Sequence, residues 1–454
     1  MQPAPPAAPE ITGSKNVVIL GGCGRVGSST AAALAAAVPA AKLSLGGRSE
    51  ESFRAAVARR PELAGASPLA VDIDDPASLA AALKGADLVI HAAGPFQRRT
   101  DCNVLEVAIA AGVPYMDVCD DTDYSQRAKQ LHSKAQAAGV PAITTTGIYP
   151  GVSNVMAAHT IAIGRKEYNA DGSLPERPGE GGADPKRVLY SYFTAGKQAT
   201  IGTVPMAAAA AVTSRAAAAP GLRAGPMLCC WGTGGAGPTI LETTLLLAGE
   251  DVVAFRDGER VVLPPVSNRR VVDFGTGVGR RSVYLYNLPE VSSGHQVFGV
   301  PSISARFGTA PDPWNWGMVA MARLAPKGML ADRQQAKQLA RVMDPAIRAV
   351  DLAVGEKVAM LVEVEYEDGK IAAGLYVHQY LSQAVGTCTA AFARCMLAGQ
   401  TQPGVWFPEE QGALGDRRAL LGMASQGCTR FLLNRTPWQL ETDPMQLGMG
   451  LYIY

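Results

Sequence analysis

Three glycines with the spacing G-x-G-x-x-G, Gly22, Gly24 and Gly27, separate a short apolar run, Val17 to Leu20, from an alanine-rich helical pattern reaching Ala37. Placed between a strand and a helix, such glycines serve a dinucleotide. One allows the tight turn, one lets a pyrophosphate approach the backbone, and one lets the helix pack on the strand. The N–H groups and positive dipole end of that helix then hold the phosphates. Arg25 and Val26 lie inside the loop, and Arg25 offers a further phosphate contact.

A second strand, Lys42 to Leu45, runs into Gly46-Gly47-Arg48-Ser49. NAD binders place a carboxylate near this point for the ribose 2′-OH, whereas NADP binders place an arginine against the 2′-phosphate. Arg48 stands there with no acid before Glu50, so NADP(H) is the expected cofactor. Asp72 ends a third strand, Ser67 to Val71, where it can accept from the adenine amino group, while Asp74 or Asp75 caps the helix starting at Pro76. The fourth strand, Asp87 to His91, leads into Ala92-Ala93-Gly94-Pro95-Phe96-Gln97, whose small residues let the cofactor cross the strand end. The expected cofactor contacts are thus Gly22, Gly24, Arg25, Val26, Gly27, Arg48, Ser49, Asp72, Ala93, Gly94 and Pro95.

These residues need a frame. Helix 102–111, strand 115–118, helix 124–138 and strand 141–145 complete six alternating strand and helix units, which specify a Rossmann-type doubly wound parallel sheet. Beyond the loop Gly147 to Asn154, strand patterns recur at 187–194, 251–256, 260–263, 270–274, 282–286, 303–307, 357–366 and 371–377, the last two forming a hairpin around Asp368-Gly369. With helices at 240–248, 316–324 and 333–350, they predict a second α+β domain with a mostly antiparallel sheet. A helix over 379–397 follows, the segment Pro403 to Pro408 stops the chain, and a final amphipathic helix is expected over 417–433. Residues 195–231, with alanine runs broken by three prolines, read as a loose insertion or a short surface helix. The glycine-rich 232–239 lacks the Lys-Ser/Thr ending of a P-loop.

With 454 residues, 48% hydrophobic and 18% charged, the chain reads as globular and of two unequal domains. A net charge of +1 without a long basic run excludes the electrostatic footprint of a nucleic-acid binder. Eight scattered cysteines without a C-x-x-C pair indicate reduced thiols and no zinc cluster. No apolar run reaches the roughly 18 residues of a membrane helix. The start, MQPAPPAAPE, reads as a disordered leader or as what remains of a removed transit peptide.

The candidates for acid/base work at the carboxyl edge of the sheet are Asp117, Asp120, Tyr149, Ser153 and Asn154, with His295 and His378 further on. Each also has a structural reading as a cap or loop hydrogen bond, and His91 reads as a packed histidine. Tyr149, Asn154 and His295 head the set, and no fixed dyad marks the catalytic base.

The segments VVILGGCGRVG, LGGRS, HAAGPFQ, YMDVCDD, GIYPGVSN and QPGVWFPEE together resemble the saccharopine dehydrogenase-like family of NADP-binding oxidoreductases, most closely its plant, algal and cyanobacterial members. The resemblance implies a nucleotide domain over 13–154 joined by 379–410, following the leader over 1–12 that its composition marks as disordered. It further implies a substrate and oligomerisation domain over 155–378 with an insertion at 197–231, and a C-terminal extension over 411–454. In those relatives FTAG and GTGGAGPT are continuous, which supports the insertion. The location is expected to be cytoplasmic or chloroplast-stromal, and the latter, like a homodimer, is an expectation from the resemblance alone. Two functions follow. One is NADP(H)-dependent hydride transfer with a small carbonyl, imine or amino-acid-like substrate. The other is a non-catalytic nucleotide-sensing or assembly protein that keeps the cofactor fold.

Overall fold

The computed structural model describes residues 8–169, 173–194, 238–325, 328–354 and 356–442. The segment read as an insertion (197–231) and most of the glycine-rich stretch after it lie outside these residues, as does the end of the C-terminal extension from 443 onward.

Seven strands form one parallel sheet: β1 (Lys15–Leu20), β2 (Ala41–Gly47), β3 (Ser67–Ala70), β4 (Leu88–His91), β5 (Tyr115–Asp117), β6 (Pro141–Ile143) and β15 (Gly404–Trp406). Their order is β15-β6-β5-β4-β1-β2-β3, so the winding reverses between β1 and β4. Alternation along the strands divides the core into two layers. Val17, Ile19, Leu43, Leu45, Leu88 and Ile90 enter one cluster, while Val18, Leu20 and Val89 enter the other. Covering both faces explains why β4 is apolar at successive positions.

One covering layer holds helix α1 (Arg25–Ala37) and the helix Leu381–Leu397, which returns from far along the chain. The two approach closely because their contact is made of small side chains. A Cβ at Gly386 would stand 2.5 Å from the Ser29 backbone. Arg394 on the returning helix donates to Pro9 O (3.2 Å from Nε), and Ala8 and Ile11 pack on the core. Residues 8–12, expected within a disordered leader, are therefore held in place.

The second sheet runs β10 (Ser267–Asp273), β11 (Arg280–Leu285), β12 (Ser302–Thr309), β7 (Pro185–Thr194), β13 (Val358–Tyr366), β14 (Ile371–His378) and β16 (Arg430–Arg435). The hairpin β8 (Val252–Arg256) and β9 (Glu259–Leu263) attaches to it through β12. Among the described residues, only β7 and β12 pair in parallel in this sheet. Gly369, at φ +81°, turns β13 into β14 as the Asp-Gly signal requires.

Four expectations about elements are corrected. The segment read as a stop after the helix Leu381–Leu397 contains β15, a seventh parallel strand that pairs with the open edge of β6. The helix expected over 417–433 ends at Ala424. Gly427, at φ +79°, breaks it, and the chain re-enters the second sheet as β16 beside β14. A helix, Pro289–Phe298, forms where no helix was expected. The helix expected over 124–138 is divided in two, Thr122–Gln130 and His132–Ala137.

Among the described residues no helix is long and apolar enough to cross a membrane, and no group of three or more His, Cys, Asp or Glu is placed to hold a metal ion.

Candidate active site

The glycine turn sits at the point where the sheet reverses. Gly21, at φ +73°, leads out of β1, and a Cβ there would stand 2.7 Å from Ala92 O, so glycine lets the ends of β1 and β4 close on each other. A Cβ at Gly27 would meet Gly21 O at 2.3 Å, so α1 lies against the turn only with a bare Cα. Gly24 is the N-cap of α1. No side chain caps this helix, its first turn holds no acid, and its first bond runs from Ser28 N to Gly24 O (2.9 Å). The N–H groups ahead of that bond and the positive dipole end suit an anionic diphosphate.

Cations gather on the same side. Arg25 opens α1, Arg48 is exposed just past the end of β2, and Arg59 donates from Nη2 to Cys23 O in the turn (2.9 Å). Ser49 accepts from Ser52 N (3.3 Å) and so caps the helix Glu50–Arg59. Asp72 is exposed beyond β3, with its carboxylate accepting from Asp74 N (3.0 Å). Asp75 is the cap of the helix at Pro76, accepting from Ala77 N (2.9 Å). An uncapped helix end, a glycine-rich turn and an arginine beside β2 fit a dinucleotide that carries a 2′-phosphate.

From this turn a cavity of about 440 Å³ opens toward the second sheet. Val26, Ala92, Gly94, Pro95 and Phe96 form its near wall, Ile148 and Tyr149 its flank, and Tyr286, Leu288, Phe307 and Trp314 its far wall. Ligands of open α/β sheets bind at such a reversal point, beyond the carboxyl ends of the strands.

Asp120 borders the cavity from the loop after β5. Burial raises its carboxyl to about 6, with Asp121 adding repulsion and a hydrogen bond from Gln97 opposing the rise. Gln97 is fully buried. Its Nε2 donates to Asp120 Oδ1 (2.9 Å), and its Oε1 accepts from Thr243 Oγ1 (3.4 Å). A carboxyl that titrates near neutrality beside a cofactor cleft is suited to hold or release a proton.

Tyr149 also lines the cavity. Its hydroxyl is hydrogen-bonded to Thr194 Oγ1 (2.5 Å), its ring stacks on Tyr192 (centroids 4.4 Å apart), and burial pushes its phenol far upward. Beneath it, Tyr192 donates its hydroxyl to Glu290. Burial raises both Glu290 and Glu409 to about 7. Neither oxygen of Glu409 meets a donor in full hydrogen-bond geometry, although Ser293 and Asn154 approach it.

The remaining candidates stand outside the cavity lining. Asn154 Nδ2 donates to Ser293 Oγ (3.3 Å), and its Oδ1 accepts from Gly151 N (3.0 Å), which fixes the loop into the following helix. Ser153 donates to Asn154 Oδ1 (3.3 Å). His295 stacks on Phe255, with its Nδ1 against Val300 O (2.9 Å) near the end of its helix. His378 Nδ1 accepts from Tyr380 N (3.0 Å). Asp117 is a buried hub that accepts from Tyr115, Cys119, Thr144 and Thr145 and so ties β5 to the loop after β6. His91 is packed edge-on to Phe96, and burial lowers it to about 3, so it stays neutral.

Gln97, Glu290 and Glu409 were not singled out by type or spacing. Gln97 lies within the HAAGPFQ segment, and its pairing with Asp120 spans 23 residues of sequence. Glu290 sits on the unexpected helix, behind Pro289.

Parallel sheet, uncapped glycine turn and adjoining cavity define a nucleotide-dependent oxidoreductase architecture. Residues 17–143 match the family model of the saccharopine dehydrogenase NADP binding domain, so NADP(H) is the cofactor of this domain. Apo saccharopine dehydrogenase (L-Glu forming) from Saccharomyces cerevisiae shares the fold. At 14% identity the alignment covers 93% of this chain and 100% of that chain, with a TM-score of 0.58. Two other solved structures overlap a smaller part of the chain. Pen from Bacillus thuringiensis is 16% identical over 29% of this chain and 50% of its own, with a TM-score of 0.25. ADP-L-glycero-D-manno-heptose-6-epimerase from Helicobacter pylori is 20% identical over 23% and 38%, with a TM-score of 0.19.

Proposed function

We propose that this protein catalyses hydride transfer between NADP(H) and the carbon of a C=O or C=N bond in a small molecule, with Asp120 holding the proton. The observation that carries this reading is the position of Asp120. It is a carboxyl raised to about 6 that borders a cavity opening from the cofactor turn.

When bound, NADPH supplies the hydride and its electron pair. The π electrons of the C=O or C=N bond move to oxygen or nitrogen, which takes a proton from the Asp120 carboxyl. In the reverse direction the Asp120 carboxylate accepts that proton. Gln97 fixes one carboxylate oxygen and so sets the direction in which the other can act. The N-terminus of α1 and Arg48 hold the phosphates, and the apolar walls exclude water. Tyr149 positions the flank of the site through Thr194.

Asp120→Asn tests the assignment. The amide cannot exchange the proton, so turnover is expected to fall by about 10²–10⁴, with NADPH affinity within about twofold of the parent. Unchanged turnover would remove Asp120 from the chemistry. Stoichiometric NADPH binding with no turnover across carbonyl and imine panels would favour a non-catalytic nucleotide-holding role instead.

A further inference from the structure

The walls of the cavity carry information about the molecule it takes. Facing the cofactor side, Leu241, Leu247, Tyr286, Leu288, Phe307 and Trp314 present aromatic and branched aliphatic surface. Several polar side chains of the lining are engaged within the protein. Tyr149 and Thr194 bond each other, Thr309 Oγ1 donates to Thr194 O (2.8 Å), and Thr243 donates to Gln97. Glu356 Oε1 accepts from Leu381 N (2.9 Å) at the head of the returning helix.

The charge of the lining has one sign. Asp120 and Glu356 are acidic, and no Lys, Arg or His belongs to the lining among the described residues. Arg333 reaches Pro95 O (3.2 Å), but its side chain is not part of that lining. A carboxylate brought into this space would lose water, meet no cation among the described lining residues and face two acids. Burying an unpaired charge is strongly unfavourable, whereas burying methylenes is favourable.

We infer that the substrate of this site is an apolar carbonyl compound without a carboxylate, and not an amino acid or keto acid. The inference rests on the hydride-transfer reading above and names the substrate class for the same cavity. The reacting C=O bond lies at the Asp120 end, and the hydrocarbon part lies against Leu247, Phe307 and Trp314. Specificity comes from matching apolar surface and from rejection of anions.

Binding and turnover are measured separately, so that the two readings fail separately. Protein saturated with NADP⁺ is titrated calorimetrically with 2-butanone, 2-hexanone, 2-octanone and 2-decanone, and in parallel with pyruvate and 2-oxoglutarate. Affinity is expected to rise about fourfold per added methylene until the cavity is filled, the fold-change given by about 0.8 kcal/mol per buried CH₂. The keto acids are expected to bind at least tenfold more weakly than the ketone of matching length. Trp314→Ala, at the half-buried far wall, should cost the longer ketones about tenfold while leaving NADP⁺ affinity unchanged. Should that variant fail to fold, Phe307→Ala carries the same expectation. Keto acids binding more tightly than ketones, or ketone affinity independent of length, would overturn the apolar assignment. Length-dependent ketone binding without NADPH oxidation at 340 nm would uphold it and overturn hydride transfer.

Discussion

Gln97 donates from Nε2 to Asp120 Oδ1 across 2.9 Å, from a fully buried position at the end of the β4 loop. This bond joins the strand end beside the cofactor turn to the only candidate acid that both borders the cavity and titrates close to neutrality among the described residues. It opposes the upward push of burial. Removing it by Gln97→Met should therefore raise the Asp120 carboxyl further. Carbonyl reduction needs the protonated acid, so the rate should fall as pH climbs through about 6 in the parent and through a higher value in the variant. A pH profile of kcat/KM for both proteins checks the direction.

Arg48 stands exposed at the end of β2 with no acid beside it before Glu50. Arg48→Ala should weaken NADPH by about 1.5–3 kcal/mol, the loss of a charge-assisted contact, and leave NADH nearly unchanged. Calorimetric titration with both nucleotides reads the difference. Equal losses would mean that Arg48 does not contact the 2′-phosphate.

Gly27→Ala should be costly for a backbone reason. Its Cβ would lie 2.3 Å from Gly21 O, so the head of α1 must move away from the turn. We expect a loss of about 1–3 kcal/mol in stability, as overpacking of a close contact gives, and NADPH affinity lower by more than tenfold. Thermal melting with and without NADPH reads both effects.

Glu409 is fully buried, and burial holds its carboxyl at about 7, above its ordinary 4.5. A folded value above the unfolded one means that the unfolded chain ionises first as pH rises. The stability present below pH 4.5 is therefore lost progressively up to about pH 7. Glu409→Gln removes that loss. Its melting temperature should match the parent near pH 4.5 and exceed it, by at least about 2 °C, at pH 8. A variant less stable than the parent at pH 8 would show that the ionised carboxylate is satisfied inside the fold.

The glycine turn and the strand ends around it were legible because their signals are local. A glycine turn between strand and helix, and an arginine at the next strand end, each lie within a few residues. The parallel sheet followed from apolar strands at regular intervals. β15 was not legible. Its three residues between prolines become a strand only because β6 offers an open edge. Nor was the end of the helix at Ala424, since the apolar residues Phe431, Leu432 and Leu433 continue a helical pattern that Gly427 interrupts. The substrate half escaped for a further reason. Its walls come from many separate stretches of chain, and the Asp120–Gln97 and Tyr192–Glu290 pairs bridge sequence gaps that no spacing rule reads.

Isotope tracing tests the central claim most directly. The protein is incubated with NADPH deuterated at C4 of the nicotinamide and with the ketone that binds best, and the alcohol product is examined by mass spectrometry. Hydride transfer predicts one deuterium on the carbinol carbon, with transfer from one face of the ring only and product formation sharply reduced in Asp120→Asn. Nucleotide and ketone both bound, with no deuterium in any product, would contradict it.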